Sequence, residues 1–499
     1  MARRVFCATL GCDKNLVDSE ALLGRFALSG VQAVADPEEA DIWILNSCGF
    51  IDAARRDSEE TLLELIEHKG ERILVVCGCW SQEHGEDIQQ RFPGVDIVAG
   101  VGQFDRVVAA CMGQADPATG GDGAPPSGIR KNSFPLVGSP LVEDPMVVQY
   151  TGMLDRPLLT PQHLAFVKIG EGCNFNCSFC RIPMIRGKQR SRTTAEIVTE
   201  VRGLVQRGVS EIQLVSQNTS DFGRDTGENL LGLTTALNGI DGLRWIRLLY
   251  LYPGLVSVGD LLALLDLPLV VPYLDLPIQH ASDRLLSGMR RPGGNSSNSA
   301  FFRALRRERP DLVLRSTALL GFPGEEDEDV SRLADFLAEV EFDHLGTYRY
   351  SPEAGTDAAG LPDRVPDEVI LDRECLIMDL QAGISLGRQI SRLGRSFEVV
   401  IDQVVPSLSS VEAEDVGLQE LVESLAEGEW LAGREREDLS GVQGLNTERA
   451  IGRSHHYGYD LDGVVVTNAA GLRAGDRVQL EFTGVSSFDT WAEKPEPTH

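Results

Sequence analysis

The sequence of 499 residues has no apolar run that approaches the roughly 20 residues of a membrane-spanning helix. A secretory signal is not expected either, because the basic residues 1–4 precede an apolar stretch that is too short for one. We therefore expect a cytoplasmic protein that has no contact with a membrane.

Basic residues are also scarce, since 46 Lys and Arg face 75 Asp and Glu and the net charge is −29. Proteins that bind nucleic acid derive most of their affinity from basic side chains on phosphates, so this balance argues against a nucleic-acid partner. A basic partner suits such a surface better, unless the acidity serves only to keep the protein in solution. The hydrophobic share of 42% and the charged share of 24% are those of an ordinary globular protein of roughly three domains.

Ten cysteines in an intracellular chain of this length indicate metal or redox chemistry rather than disulfide bonds. Three of them, Cys173, Cys177 and Cys180 (the loop triad), follow a C-x3-C-x2-C pattern. A structural zinc site needs four ligands, so a distant Cys or His would have to complete one here. Three thiolates can instead hold three irons of a 4Fe-4S cluster and leave the fourth iron open to a small chelating molecule. We favour the cluster and keep the zinc loop as the alternative.

Residues 1–112 alternate apolar strands with helical segments, which predicts a doubly wound parallel sheet. The strands are predicted at residues 4–9, 41–46 and 72–77, and the first helix over 17–29. Open sheets of this kind bind their ligands just beyond the carboxyl ends of the strands.

Cys12, Cys48 and Cys79 (the N-terminal triad) each follow one of these strands, so we expect them to converge in space. Three thiolates without an obvious fourth ligand favour a second 4Fe-4S cluster. Cys77 is a rival for Cys79, but Cys79 follows Gly78, where the strand has ended and the side chain can reach a site. The remaining cysteines are interpreted as small buried hydrophobic residues: Cys7, Cys77, Cys111 and Cys375.

Residues 150–388 alternate strand and helix again, and six βα units indicate a partial, open-sided barrel with its chemistry at the carboxyl ends of the strands. A Gly- and Pro-rich linker at 113–149 precedes it. Residues 389–495 predict an all-β domain, interrupted by an acid-rich insertion at about 407–449. The six barrel strands begin near Leu164, Ile212, Trp245, Tyr273, Val313 and His344.

The loop triad, with Phe179 before its last cysteine, resembles the cluster loop of the radical S-adenosylmethionine (SAM) enzymes. The two triads, their order and the terminal β domain together resemble the methylthiotransferases of that superfamily over nearly the whole chain. The motifs that carry this resemblance are residues 11–20, 46–48, 78–79 and 171–192. It implies a radical SAM 4Fe-4S cluster on the loop triad, an auxiliary 4Fe-4S cluster on the N-terminal triad, and a C-terminal TRAM domain, which is OB-like.

Within this family, residues 14–20 (K-N-L-V-D-S-E) resemble the RimO branch, which modifies an aspartate of small-subunit ribosomal protein S-twelve. Residues 182–187 and 487–491 resemble the same branch, and the tRNA-modifying branch, MiaB, usually has Gln-Met-Asn in the first stretch. The resemblance implies that a radical derived from SAM removes hydrogen from the aspartate β-carbon, to which a methylthio group is then added. It also implies a sulfur donor and a low-potential electron donor of the flavodoxin or ferredoxin type.

Three residues outside the triads are expected to contact SAM. Phe179 is the aromatic residue that the family usually has before the last cysteine. Arg192 ends a locally basic run and offers a guanidinium to the SAM carboxylate. Gln217 lies at the end of the second barrel strand. No catalytic residue beyond the cluster ligands is assigned.

Two other functions stay open at this point. One is a tRNA adenosine methylthiotransferase, which shares the chemistry but disagrees with the net charge of −29. The other is a protein without enzymatic activity that binds RNA through zinc-type cysteines and the β domain. Analysis of iron and acid-labile sulfide after anaerobic purification separates the latter from a radical SAM enzyme.

Overall fold

The computed structural model describes residues 3–114, 140–147, 155–291, 295–405, 431–432, 448–469 and 471–495. Most of the predicted linker (113–149) and of the predicted acidic insertion (407–449) lies outside the described residues. No helix within the described ranges is long and apolar enough to cross a membrane. The domain boundaries given above stay predictions.

The N-terminal domain is a sheet of five parallel strands in the order β2-β1-β3-β4-β5. Apolar clusters lie on both of its faces, so β3 and β4 are buried along their whole length. The predicted doubly wound fold is therefore confirmed. The elements are β1 (Arg4–Thr9), α1 (Asp13–Leu28), β2 (Gln32–Ala33), β3 (Ile42–Ser47), α2 (Asp52–His68), β4 (Ile73–Gly78), α3 (Cys79–Arg91), β5 (Ile97–Val98) and α4 (Phe104–Cys111).

The central domain contains six parallel strands in the order β13-β12-β11-β10-β9-β6, and all six predicted barrel strands are present. Side chains alternate along each strand: in β6, Ala165 and Val167 pack against the outer helices, and Leu164 and Phe166 face the interior. The six strands of this sheet are β6 (Leu164–Lys168), β9 (Glu211–Val215), β10 (Trp245–Leu248), β11 (Val270–Asp275), β12 (Val313–Leu320) and β13 (His344–Arg349). Two short strands, β7 (Gly170–Glu171) and β8 (Arg190–Ser191), pair separately and antiparallel. The helices are α5 (Ile182–Arg186), α6 (Thr194–Gln206), α7 (Leu230–Asn238), α8 (Val258–Leu265), α9 (Asp283–Gly288), α10 (Asn295–Glu308), α11 (Asp327–Val340) and α12 (Asp367–Ile390).

The C-terminal domain is all-β, as predicted, and its strand order is β14-β16-β17-β19-β18-β15. A further pairing of β14 with β18 closes the sheet into a small barrel. Strand β15 lies inside the predicted acidic insertion and pairs antiparallel with β18. The strands are β14 (Ser396–Val405), β15 (Leu431–Ala432), β16 (Arg449–Ser454), β17 (Val465–Asn468), β18 (Arg477–Val485) and β19 (Thr490–Glu493).

One apolar cluster inside the barrel includes residues of all three domains. Val17 and Ala21 of α1 lie in it with Phe166 and Tyr273 of the barrel strands and with Val400 of β14. Helix α1 is thus packed on two sides, against its own sheet and against the barrel. This packing brings the N-terminal triad close to the barrel.

Buried ion pairs join the N-terminal domain to the barrel. The Lys168 Nζ atom lies 2.6 Å from the Asp18 carboxylate. Glu353 accepts a hydrogen bond from the backbone N–H of Asp52 at the start of α2 (2.8 Å) and pairs with Arg55 (2.6 Å). Because the Glu353 side chain is buried, loss of Arg55 would leave its charge uncompensated.

The C-terminal domain covers the amino ends of the barrel strands. Arg453 pairs with Glu211, the first residue of β9, at 3.0 Å. Asp462 accepts hydrogen bonds from the Tyr273 hydroxyl (2.7 Å) and from the Arg315 guanidinium (3.2 Å). The carboxyl ends, where barrels of this kind place their chemistry, are left to face the N-terminal domain.

Candidate metal centres

The loop triad lies in a segment that follows β6 and β7 at the carboxyl edge of the barrel. Two backbone contacts and one side-chain contact fix this segment. The Ser178 N–H donates to the Met289 carbonyl (3.1 Å), the Ser178 hydroxyl donates to Gly288 (2.7 Å), and the Ala358 N–H donates to the Ser178 carbonyl (2.9 Å). The positions of the three thiols are therefore set by the barrel and not by the loop alone.

The loop triad is electrostatically unfavourable for thiolates without a metal. Burial first, and the neighbouring Cys177 to a smaller extent, raise the pKa of Cys173 to about 11 and that of Cys180 to about 12. The nearby Arg291 cation lowers both values. The influence of Cys177 on both neighbours places the three cysteines near one another, and a metal would have to drive the deprotonation of Cys173 and Cys180.

The three residues predicted to contact SAM do not share one environment. Gln217 lies beside the loop triad, where it accepts a hydrogen bond from the Gly172 N–H (2.9 Å) and donates to Glu171 (2.7 Å). Arg192 instead pairs with Glu200 at 2.6 Å and is largely buried. Phe179 packs at the edge of an apolar cluster under the loop. Contact of these residues with SAM stays a prediction.

Two further residues near the loop triad, Tyr252 and Asn218, are not among those predicted to contact SAM. Tyr252 stacks on Phe175 with ring centroids 4.3 Å apart, and the Arg291 guanidinium lies 4.0 Å from the Tyr252 ring centroid. Within the described part of the chain, the buried Tyr252 hydroxyl and both polar atoms of the Asn218 side chain have no hydrogen-bond partner. Asn218 follows Gln217 in the sequence and could have been found there, whereas no local signal identifies Tyr252.

The N-terminal triad lies at the carboxyl ends of three adjacent strands, β1, β3 and β4. Cys12 directly precedes α1, and Cys79 is the first residue of α3. Gly11 has φ +94°, and a Cβ atom there would lie 2.9 Å from the Cys48 sulfur. A Cβ on Gly49 would lie 2.6 Å from the Trp80 Cα, so the three loops fit closely against one another.

The structure separates Cys79 from its rival Cys77. Cys77 lies in the apolar core of the sheet, and Gly78 then turns the chain with φ +100° so that α3 begins at Cys79. The pKa of Cys79 is raised to about 12, mainly by burial; Arg186 opposes this rise, and Cys12 and Cys48 add to it. The thiol that faces the other two cysteines is therefore that of Cys79.

Among the residues that the structure describes, no three His, Cys, Asp or Glu side chains converge closely enough to hold a single metal ion. The thiolates of a 4Fe-4S cluster bind different irons and therefore stand further apart than the ligands of one ion. No fourth ligand joins either triad in the part of the chain that the structure describes, and three cysteines alone fit a cluster with one accessible iron better than a closed zinc site.

The two triads are joined through Arg186, which follows the loop triad in α5 and is buried. Its Nη1 atom lies 2.9 Å from Asp18 and 3.0 Å from Glu171. Its Nη2 atom lies 2.6 Å from the Asn15 side-chain oxygen and 3.2 Å from the sulfur of Cys79. A residue of the barrel thus contacts a cysteine of the N-terminal triad.

Two family models match the chain. One is described as the uncharacterized protein family UPF0004 and matches residues 4–100, and the other is the radical SAM superfamily, which matches residues 167–337. The first match spans the N-terminal triad and the second spans the loop triad.

Curated relatives match nearly the full length. Two of them are named ribosomal protein uS12 methylthiotransferase RimO, and each is 34% identical to this chain over 98% of its length. The match covers 90% of the protein from Symbiobacterium thermophilum and 98% of the protein from Geobacter sulfurreducens. A protein of the same name from Anaeromyxobacter sp. is 36% identical, with 98% of this chain and 92% of the relative covered.

Among solved structures, the radical SAM methyltransferase TsrM from Kitasatospora setae, with tryptophan and a SAM analogue bound, matches with a TM-score of 0.50. The match covers 69% of this chain and 73% of that one at 15% identity. At this identity the likeness concerns the fold, and it agrees with the parallel sheet of the central domain.

Proposed function

This chain belongs to the RimO family of ribosomal protein uS12 methylthiotransferases, and from that premise we propose that it adds a methylthio group to the β-carbon of an aspartate in uS12. The observation that carries the proposal is the identity of 34–36% to named RimO proteins along 98% of the chain. The enzyme is a radical SAM methylthiotransferase. A radical cofactor is needed because the C–H bond at this carbon is not activated.

We assign the radical SAM 4Fe-4S cluster to Cys173, Cys177 and Cys180 and the auxiliary 4Fe-4S cluster to the N-terminal triad. When bound, the two clusters and SAM supply the carbon-centred radical and the methylthio group. The contribution of the protein is to hold six thiolates and to place the two sites against each other. The close fit at Gly11 and Gly49 supports this assignment, since it leaves the cysteine positions little freedom.

SAM is proposed to bind between the loop triad and the carboxyl end of β9. Asn218 and the Tyr252 hydroxyl supply buried polar atoms that have no partner in the described structure, and such atoms are costly unless a ligand or water satisfies them. Gln217 fixes the Gly172 backbone beside them. Phe179 and Arg192 remain candidates for contact with SAM, although Arg192 would have to leave Glu200 or reach SAM with a second nitrogen.

The proposed substrate agrees with the charge of the chain. Ribosomal proteins are basic, and a net charge of −29 attracts such a partner and repels an anionic RNA. Because the substrate belongs to the ribosome, we place the reaction in the cytoplasm. The reaction also needs an electron donor of low potential and a source of sulfur, which we propose to be a flavodoxin or ferredoxin and a separate sulfur donor.

The test is mass spectrometry of uS12 from a strain that lacks this protein. We expect the methylthio mass to be missing and to return when the protein is supplied. Reaction of the purified, reconstituted enzyme with uS12 and with tRNA side by side is the complementary measurement. Modification of tRNA but not of uS12 would overturn the proposed substrate and leave the radical chemistry in place.

A further inference from the structure

Arg186 contacts Cys79, and the proposed function assigns no role to this contact. Cys79 is assigned to the auxiliary cluster, whereas Arg186 belongs to the barrel and follows Cys180 by six residues. The Nη2 atom lies 3.2 Å from the sulfur, which is the distance of an N–H···S hydrogen bond. Arg186 is 2% exposed, so little water screens this interaction.

The orientation of the guanidinium is fixed by its neighbours. The Asn15 side-chain nitrogen donates to the carbonyls of Leu10 (2.9 Å) and Ser47 (3.3 Å), so its oxygen must face Arg186. That oxygen accepts from Nη2 at 2.6 Å. On the other side, Asp18 accepts from Nη1 at 2.9 Å. A lysine could not serve both sides at once, because its ammonium is a single point and not a planar fork.

We propose that Arg186 is a positioning residue that raises the reduction potential of the auxiliary cluster by donating a charge-assisted hydrogen bond to the Cys79 thiolate. The proposal rests on the proposed function, because it requires a cluster on the N-terminal triad. Reduction adds negative charge to a cluster, and a cation with an N–H directed at a ligand sulfur stabilises the reduced form more than the oxidised one.

The same network continues to the proposed SAM site. Glu171 accepts from Arg186 (3.0 Å) and from the Gln217 side-chain nitrogen (2.7 Å), and Gln217 in turn accepts from the Gly172 N–H. Three side chains therefore connect the sulfur of Cys79 with the backbone next to Cys173. Of these three side chains, Arg186 is the one that contacts the N-terminal triad.

The experiment uses the full-length chain with Cys173→Ala, Cys177→Ala and Cys180→Ala, so that only the auxiliary cluster is reconstituted. Its one-electron midpoint potential is measured by redox titration followed by electron paramagnetic resonance. We expect Arg186→Gln to shift the reduced-to-oxidised ratio at a given potential at least tenfold toward the oxidised form, which corresponds to a midpoint lower by about 59 mV. An unchanged midpoint in this variant overturns the proposal.

The matched control is Arg156→Gln. Arg156 is also a buried arginine that joins α1 to the barrel, through Glu20 and Glu200, but the structure gives it no contact with a cysteine. We expect this variant to keep the midpoint of the parent chain. A shift as large as that of Arg186→Gln would show a general effect of domain docking and would overturn the specific role of Arg186.

A double variant separates the hydrogen bond from the charge of the network. Arg186→Gln combined with Asp18→Asn removes one cation and one anion, so the net charge around the cluster is unchanged. We expect the midpoint to stay lowered, because the N–H···S bond from a cation is still missing. A return to the parent value would mean that only the charge of the network matters and would contradict the proposal.

A measurement without any change at Arg186 covers the case in which the variants do not take up a cluster. The chain is labelled with nitrogen-15 in the guanidinium groups of arginine, and the reduced auxiliary cluster is studied by pulsed electron paramagnetic resonance. We expect a nitrogen-15 coupling, and its absence overturns the proposal. If the chain with an intact N-terminal triad binds no cluster at all, the proposed function fails instead.

Discussion

Arg181 and Glu83 form an ion pair with 2.6 Å between Nη2 and Oε1, and both side chains are about nine-tenths buried. Arg181 directly follows Cys180, and Glu83 lies one helical turn after Cys79 in α3. The pair therefore joins the two cysteine segments at a second point, independent of Arg186. Two such contacts hold the segment of the loop triad against the segment of Cys79.

We expect Glu83→Gln to loosen this arrangement and to reduce methylthio transfer more than SAM cleavage. The loss of one partner leaves Arg181 without its carboxylate, at a cost of about 1–3 kcal/mol. Formation of 5'-deoxyadenosine should stay near the level of the unmodified enzyme, since the loop triad is intact. Glu86→Gln, an exposed residue in the same helix, is the control. Equal losses of both activities would indicate a folding defect.

Replacement of Cys173, Cys177 or Cys180 by alanine should abolish formation of 5'-deoxyadenosine, because a cluster with an open iron needs all three thiolates. Cys375→Ala is the control: this cysteine is predicted above to be buried, which is wrong, because it lies exposed in α12. The variant should behave like the unmodified enzyme. The assay is anaerobic turnover with a chemical reductant. Full deoxyadenosine formation by any one of the three variants would refute the assignment of the loop triad.

The triple variant Cys12→Ala, Cys48→Ala, Cys79→Ala should still cleave SAM but transfer no methylthio group. Iron analysis should show half of the iron of the unmodified enzyme. The choice between two neighbouring cysteines is tested separately: Cys79→Ala should remove transfer, and Cys77→Ala should retain it because Cys77 lies in the core of the sheet. The reverse result would show that the ligand is Cys77.

The C-terminal domain should lose stability as the pH falls from about 6.5. Burial and nearby arginines lower the pKa of His455 to about 3, so the folded domain keeps this imidazole neutral while the unfolded chain binds a proton. Stability is then complete above the unfolded pKa of about 6.5 and declines at up to about 1.4 kcal/mol per pH unit below it. His455→Gln should flatten this slope, as measured by hydrogen exchange in β14 and β18. An unchanged slope would mean that other groups dominate.

Turnover at low uS12 concentration should fall as salt is raised, since attraction between an acidic enzyme and a basic substrate is screened within roughly 8 Å at physiological ionic strength. Neutralisation of Glu412, Glu414 and Asp415, which lie outside the described residues, should raise KM more than it lowers kcat. The assay is methylthiolation of purified uS12 across a salt series. A KM that is insensitive to both changes would show that the insertion takes no part in docking.

Much of the fold follows from hydrophobic patterns along the sequence. Buried strands such as 42–47 and 73–78 are almost wholly apolar, and the cysteines beyond them are found by position alone. The start of α1 was set four residues too late, because its N-cap is Cys12, whose side chain makes no capping hydrogen bond. Strand β16 was not predicted, since its sequence R-A-I-G-R-S has two buried arginines where apolar residues are expected.

The contacts between domains could not be predicted from local patterns. Arg186 belongs to the locally basic run from which the sequence predicts a contact with the SAM carboxylate, but its partners Asn15, Asp18 and Cys79 are more than 100 residues away in the sequence. These contacts explain part of the basic run in an acidic chain, because Arg186 compensates the carboxylate of Asp18 in another domain. The position of Tyr252 beside the loop triad depends in the same way on a contact with a distant segment, since its ring stacks on that of Phe175.

The buried pairs Asp18–Lys168 and Arg55–Glu353 also limit how freely the domains could be recombined in evolution or by engineering. Asp18 and Glu353 are each compensated by a cation of another domain, and Glu353 also accepts a hydrogen bond from the first turn of a helix that it does not belong to. Transplanting the N-terminal domain onto a foreign barrel would leave several buried charges without partners, at about 3–5 kcal/mol for each broken pair. The chain consists of three domains, but the buried ion pairs between them require that the domains change together.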